Sequence, residues 1–245
     1  MSIDVVTTAI RRPEIFKIAL RGYFGGGLQN LPKVRLILNI DPIGNGDIQE
    51  MVDMAREYVD EVVVRVSLES NFAAAVNWAW SQVETEYFLH LEDDWLFRRP
   101  IDFALWLDDL TRADSGVCQS VLLRKNARTQ NFRFSFRAGL AKKLVIEKVL
   151  PIPLDSDPEK YVANTLGEGV SKDYGLPYQL IDMGRKWAKG QSYRKAQCDD
   201  RMRLTDGLSG QAISWYQRRS GNYLGKFDYS MSRIYWKFVQ SKYLG

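Results

Sequence analysis

The chain has 245 residues, of which 45% are hydrophobic and 26% charged, and it carries a net charge of +4. That length and composition describe one large globular domain with an appended C-terminal piece, and they exclude a disordered, collagenous or coiled-coil chain. Two cysteines, Cys118 and Cys198, form neither a disulfide framework nor a zinc knuckle, no basic leader precedes a long apolar run, and no window approaches the roughly 18 apolar residues of a membrane span; a cytoplasmic protein is expected.

In chain order, Ile3 to Thr8 is a β-branched run that predicts a strand, stopped by Arg11-Arg12-Pro13. From Glu14 to Leu20 the apolar spacing is helical, behind a proline suited to a first turn. Val34 to Ile40 predicts a second strand, ending in the turn-rich Asp41-Pro42-Ile43-Gly44-Asn45-Gly46-Asp47, and residues 48 to 58 return to helical periodicity. Glu61 to Val66 is a third strand, residues 71 to 82 an Ala- and Trp-rich helix, and Tyr87 to Leu91 a fourth strand running into Glu92-Asp93-Asp94. This alternation predicts an α/β domain with a mostly parallel central sheet flanked by helices. Ligands of such sheets lie beyond the carboxyl ends of the strands, so Thr7-Thr8, Asp41, residues 67 to 71 and the acidic triplet fall on one rim.

Past the triplet, the pattern predicts a helix over 101–111, strands over 116–123 and 131–136, a Pro- and Asp-rich loop from 151 to 158, a helix over 158–166 and a strand over 178–182. The remainder predicts a helical, basic extension. From Arg185 onward there are 13 Lys and Arg against 4 Asp, a balance of +9, which leaves the first 184 residues at −5. Aromatics such as Trp187, Tyr193, Trp215, Tyr235 and Trp236 are interleaved with those charges. The mixture fits an anionic membrane surface, an anionic substrate or nucleic acid, and it equally fits a helix that packs its rings and solvates its charges. The expected division is therefore 1–190 for the α/β domain and 191–245 for the extension.

The acidic triplet is the segment best suited to chemistry. Three consecutive carboxylates need a cation if they are desolvated. Mg²⁺ or Mn²⁺ is a natural one, because these ions bind through one or two carboxylates plus phosphate oxygens. In an extended segment Glu92 and Asp94 point to the same side and can converge on one ion. A solvated turn in which Asp93 or Asp94 caps the next helix accounts for the same residues.

The segment Val5-Val6-Thr7-Thr8-Ala9-Ile10-Arg11-Arg12-Pro13-Glu14 resembles the opening strand and turn of family 2 glycosyltransferases with the GT-A fold. Leu36 to Asp41 resembles their second strand ending in an aspartate, Asn71 to Asn77 the helix leading to their acidic motif, and Tyr87 to Trp95 the DXD-type segment itself, with Glu92 in place of the usual first Asp. The resemblance covers residues 3 to 100 well and 101 to 190 loosely. It implies transfer of a sugar from a nucleotide-sugar donor, a UDP- or GDP-sugar, to an acceptor hydroxyl, with Mn²⁺ or Mg²⁺ held by Asp94 and Glu92. Thr8, Arg11, Asp41, Asn71, Glu92, Asp93 and, on a later strand and turn, Arg185 are the implied donor-binding residues; Lys186 stands beside Arg185.

An inverting reaction also needs a carboxylate to take the acceptor proton. The family places it at a helix start about as far downstream as Asp157 and Glu159, which are the candidate catalytic residues here, with Glu168 in reserve. Asp157 followed by Pro158 also reads as an N-cap and first helical residue. Arg11 and Arg12 also read as surface charges at a helix start, and Asp41 as the opening of a Pro-Gly turn. His90, the only histidine, lies on a strand and reads as a core residue rather than a base.

Two rival functions fit parts of the pattern. A nucleotidyltransferase shares the architecture and the acidic metal ligands, but it calls for a glycine-rich basic loop soon after the first strand; Gly25-Gly26-Gly27 follows the first helix and has no basic neighbour. A binding module for nucleic acid or an anionic membrane, with the triplet structural, fits the basic extension. The acceptors compatible with that extension are a glycan, a glycolipid at the inner membrane face, or a modified base in DNA.

Overall fold

The computed structural model describes residues 2–31, 33–97, 101–112, 119–121, 134–136, 138–168, 170–172 and 180–183, and in the C-terminal part 193–194, 196–198, 201–205, 212–213 and 217–218. The chain divides into two compact units, Met1–Ile181 and Asp182–Gly245.

The first unit opens with β1 (Ser2–Arg11), α1 (Pro13–Gly25), β2 (Lys33–Gly44), α2 (Ile48–Arg56), β3 (Glu61–Val66), α3 (Phe72–Ser81) and β4 (Tyr87–Glu92). It continues with β5 (Trp95–Phe97), α4 (Phe103–Arg112), β6 (Gln119–Val121), β7 (Gly139–Lys142), α5 (Leu144–Val149), α6 (Pro158–Leu166) and β8 (Ser171–Lys172), and holds the first two residues of β9 (Leu180–Asp182). Seven strands form one sheet in the order β3-β2-β1-β4-β7-β6-β8. The first four are parallel, β7 runs antiparallel to both β4 and β6, and β8 is parallel to β6. A mostly parallel sheet flanked by helices is therefore the architecture, as the alternation predicts.

β1 is central and is buried along most of its length, as a strand covered on both faces must be. Its residues Val6, together with Ile37 of β2 and Phe88 of β4, meet Val76, Ala79 and Trp80 of α3 in a core that Phe134, Phe136, Val145, Val149 and Val162 complete. Asp4, beside Arg35 in the β1–β2 register, ties down the amino end of the sheet. Burial works against the Asp4 carboxylate, but Arg35 and the backbone N–H groups of Thr85 and Glu84 outweigh it and hold its pKa below the ordinary value.

Three differences from the sequence expectations have physical causes. β7 and α5 were not expected; they are only four and six residues long, too short for either period to stand out. Of the strand expected over 131–136 only Phe134, Ser135 and Phe136 are among the described residues, and they are not in a strand; both rings enter the same core, 5.1 Å apart between centroids. The helical extension is corrected in its described residues, which are strands: Tyr193–Arg194 pairs with Gln217–Arg218, and Ala196–Cys198, Arg201–Thr205 and Ala212–Ile213 form a three-stranded sheet. Residues 219–245, where most of the remaining aromatics fall, lie outside the described residues.

Candidate functional site

Parallel pairing brings the carboxyl ends of β3, β2, β1 and β4 side by side. Thr8 stands in register with Asn39 on one side and Glu92 on the other, and Ile10 with Asp41. The β1–β2 register then shifts, so that Arg11 faces Gly44. Gly44 has φ of +90°, and a Cβ there would lie 2.5 Å from the Arg11 carbonyl oxygen, so the shift requires glycine. The following turn folds over Arg11, whose Nε donates to the Gly46 carbonyl at 2.9 Å.

Asp41 is buried and accepts from Asn39 Nδ2 at 3.0 Å and from Ser70 Oγ at 3.2 Å. Burial raises its pKa; hydrogen bonds and the charge of Arg65 offset this only in part. Asn71, next to Ser70, caps α3 by accepting from the Ala74 N–H at 2.9 Å and donates its amide to the Leu154 carbonyl at 3.1 Å. A turn further along α3, Asn77 both donates to and accepts from the Ile152 backbone at 2.8 Å. These two amides fasten the loop before α6 to the rim side of α3.

At the end of β4 the chain does not stay extended. Asp93 and Asp94 form a turn before β5, so the two-residue alternation stops at Glu92. Asp93, Asp94 and Arg12 are 3%, 7% and 4% exposed. Arg12 donates from Nε and one terminal nitrogen to the two oxygens of Asp93, at 2.9 and 2.6 Å, and from that same nitrogen to Asp94 Oδ2 at 2.8 Å. Asp93 also accepts from the Ile10 N–H at 3.2 Å. The cation that desolvated carboxylates demand is thus supplied to Asp93 and Asp94 by Arg12, the sole residue between β1 and α1; it is not a surface charge. Glu92 is half-buried and accepts from the indole N–H of Trp95 at 2.8 Å, while its carbonyl accepts from the Tyr23 hydroxyl. Burial and then the charges of Asp94, Asp93 and Glu92 push the Tyr23 pKa up, so this phenol stays a donor.

Asp157 occupies the N-cap of α6, accepting from the Lys160 N–H at 3.1 Å with Pro158 in the first turn, which is the capping reading of that residue. Glu159 is exposed, and its Oε1 accepts from the hydroxyl of the buried Ser135 at 2.5 Å. Glu168 is exposed past the end of α6. Arg185 and Lys186 lie outside the described residues. Thus Thr8, Asp41, Glu92, Asp93 and Asp94 share one rim and Asn71 adjoins it through Ser70, whereas Asp157 and Glu159 are held by α6 and by Ser135.

Ser70 falls within the 67–71 stretch expected on the rim, whereas the contacts of Asn39, Tyr23 and Trp95 escaped the sequence reading. For Arg12 a signal existed: three carboxylates require a cation, and arginine can supply one as well as a metal. Among the described residues no three His, Cys, Asp or Glu side chains gather around one point. With Asp93 and Asp94 in a turn, the extended alternation that would aim Glu92 and Asp94 at one ion is not kept; Glu92 accepts from Trp95 and Asp94 from Arg12.

No family model matches the chain, and no curated protein matches it in sequence. Solved structures do match. A mannosyltransferase, PcManGT from Pyrobaculum calidifontis, in complex with GDP-Man and Mn²⁺, aligns with a TM-score of 0.55 and 14% identity over 77% of this chain and 61% of its own. S. aureus TarS 1–349 aligns at 0.56 and 10% identity over 78% of this chain and 64% of its own. The chain has a GT-A-type fold. The GT-A chain described here thus spans under two thirds of either neighbour. A putative glucose-1-phosphate thymidylyltransferase from Bacillus anthracis also aligns, at 0.51 and 12% identity, over 75% of this chain and 90% of its own. The GT-A framework alone therefore does not choose between glycosyl and nucleotidyl transfer.

Proposed function

We propose that the protein is a metal-dependent glycosyltransferase that moves a sugar from a UDP- or GDP-sugar to an acceptor hydroxyl with inversion. The observation that carries this reading is the acidic turn at the end of β4, set one strand away from the buried Asp41 with Thr8 between them. On this reading the nucleoside lies at Asp41 and its diphosphate near Glu92 to Asp94. Thr8, Arg11 and Asn71 would line the nucleoside side, and Arg185 would approach the diphosphate. Residues 1–190 would form the catalytic domain and 191–245 the extension that meets the acceptor.

Asp94 and Glu92 would hold Mn²⁺ or Mg²⁺, which supplies charge neutralisation for the departing diphosphate. Asp93 would act indirectly, by anchoring Arg12. Asp157 and Glu159 are the candidate bases for the acceptor proton; Asp157 commits one oxygen to the cap of its helix and Glu159 one to the Ser135 hydroxyl, and Glu159 is favoured because its exposed side chain holds up no helix end. Neighbours at this level of similarity include complexes with GDP-Man and with UDP, which supports a nucleotide-sugar donor without choosing its base. The acceptor classes are a glycan, a glycolipid or modified DNA, in a cytoplasmic protein able to attach peripherally to the inner membrane face. No described helix is long and apolar enough to cross a membrane.

The thymidylyltransferase likeness favours nucleotidyl transfer as a second reading. Against it, only Arg12 joins β1 to α1, and its side chain is committed to Asp93 and Asp94, so no glycine-rich phosphate loop fits there. Calorimetric titration of UDP and GDP, with and without Mn²⁺, into the native protein and Asp94→Asn tests the main reading. Metal-dependent binding that weakens at least about tenfold in the variant is expected. Absence of binding to either nucleotide overturns it, and release of pyrophosphate rather than nucleoside diphosphate on turnover selects the second reading.

A further inference from the structure

We infer that the outer edge of β3 is a self-association surface: two copies of the chain pair there as antiparallel strands about a two-fold axis at Val63, joining their sheets into one. The inference goes beyond the catalytic reading and does not rest on it. β3 ends the seven-stranded sheet, and among the described residues only β2 pairs with it. Its sequence, Glu-Val-Val-Val-Arg-Val, is rich in β-branched residues that suit a strand. Glu61 and Val66 are exposed and the residues between them half-buried, whereas most of β1 and β4 is buried. The Ser67 N–H donates to the Ile40 carbonyl at 2.9 Å, and the β2–β3 register has no shift. The odd-numbered residues therefore direct their main-chain groups to β2, and Val62, Val64 and Val66 direct theirs outward. Such a row is a template for one more strand.

The side chains select both the occupant and the register. In an antiparallel pair, residues with outward main-chain groups must stand opposite one another, and setting Val62 against the partner's Val64 achieves this on both sides of the axis. Val63 then faces the partner's Val63, and Glu61 faces the partner's Arg65 as a non-hydrogen-bonded pair, the closer kind, with Cα atoms about 4.5 Å apart. Both charges have capacity for this contact. Glu61 is exposed and lies 3.6 Å from Arg35. Arg65 donates from one terminal nitrogen to the Ala74 carbonyl at 3.2 Å, with its guanidinium 5.8 Å from the centre of the Trp78 ring, and arginine has further N–H groups to offer. A register slipped by one step sets Glu61 or Arg65 against Val63, and a further step sets it against its own copy, where like charges repel. Edge charges commonly prevent pairing; here they favour a single register, and the strand that satisfies it is a second copy of β3.

The test is sedimentation velocity of the full chain over a concentration series. A reversible monomer–dimer equilibrium is expected, with the dimer populated by about 100 µM. Val64→Pro is expected to abolish the dimer and leave the monomer folded, since the N–H it removes points away from β2. Glu61→Arg and Arg65→Glu each place like charges together on both sides of the axis and are expected to weaken dimerisation at least about tenfold. The double exchange restores opposite charges and is expected to recover the dimer. Should these variants fail to fold, Val63→Cys is read instead: the residue lies on the axis within disulfide reach of its own copy. Oxidation is then expected to give a covalent dimer well above the background set by Cys118 and Cys198 in the native chain. A native chain that stays monomeric to about 100 µM overturns the inference. So does a dimer that neither Val64→Pro nor the single reversals weaken, one that the double exchange does not recover, or a Val63→Cys chain that cross-links no more than native.

Discussion

His90 shows how one buried group sets a pH response. Its Nδ1 accepts from Trp80 Nε1 at 3.3 Å, so the proton sits on Nε2, which meets no hydrogen-bond partner among the described residues. Phe136 and Trp80 surround the ring, and burial lowers its pKa to about 3. The unfolded chain takes up a proton on this residue below about 6.5, whereas the folded chain does not until near 3. Stability contributed by the neutral imidazole is complete above about pH 6.5 and declines on acidification from there to about pH 3. Asp41, with a raised pKa, acts in the opposite direction, and the lowered Asp4 enters only at the acid end. Urea unfolding at pH 7, 6, 5 and 4 is expected to give a falling stability for the native chain and a flatter profile for His90→Gln. Equal slopes in the two would assign the acid sensitivity to another group. The core role of this histidine was legible, because it alternates within an apolar strand. Of the role of Arg12 only the demand for a cation was legible: its place before Pro13 suggests a helix start, and only the parallel pairing of β1 with β4 brings it to Asp93.

At the scale of elements, α6 separates two roles that the sequence left joined. Asp157 satisfies the first-turn N–H of Lys160, while Glu159, in that same first turn, is held by Ser135 from another segment. Asp157→Ala is expected to cost about 1 kcal/mol of stability, and Asp157→Ser, which can still cap, much less. If Asp157 is a cap and Glu159 the base, Asp157→Ser keeps kcat, whereas Glu159→Gln lowers it about 10²- to 10⁴-fold with little change in stability. The reverse pattern would assign the proton transfer to Asp157, and an unchanged kcat in both would move the search to Glu168. β1 to β4 and the helices between them were legible because each carries its period over enough residues. β7 and α5 were not, since a four-residue strand is defined by its partner β4 rather than by its own pattern.

The whole molecule is divided electrically, with −5 over the first 184 residues and +9 from Arg185 onward. The sequence exposed that division but misread its local structure: Lys and Arg among aromatic residues suit a helix face, and they suit a strand equally well when alternate side chains face one way. Among the described residues the strands from Tyr193 to Arg218 pair only with one another, so deleting 191–245 removes these ladders together and breaks none in the seven-stranded sheet. If the extension delivers an anionic acceptor, this deletion leaves hydrolysis of the nucleotide-sugar near its native rate and abolishes most transfer. The intact chain should then lose affinity for anionic vesicles or for duplex DNA steeply as salt rises, because neutralised charges give back their released counterions. Retention on vesicles but not DNA would identify a membrane-borne acceptor, and the converse a nucleic-acid one. Parallel loss of hydrolysis and transfer, in a truncated chain whose unfolding transition is unchanged, would instead make the extension part of the donor site.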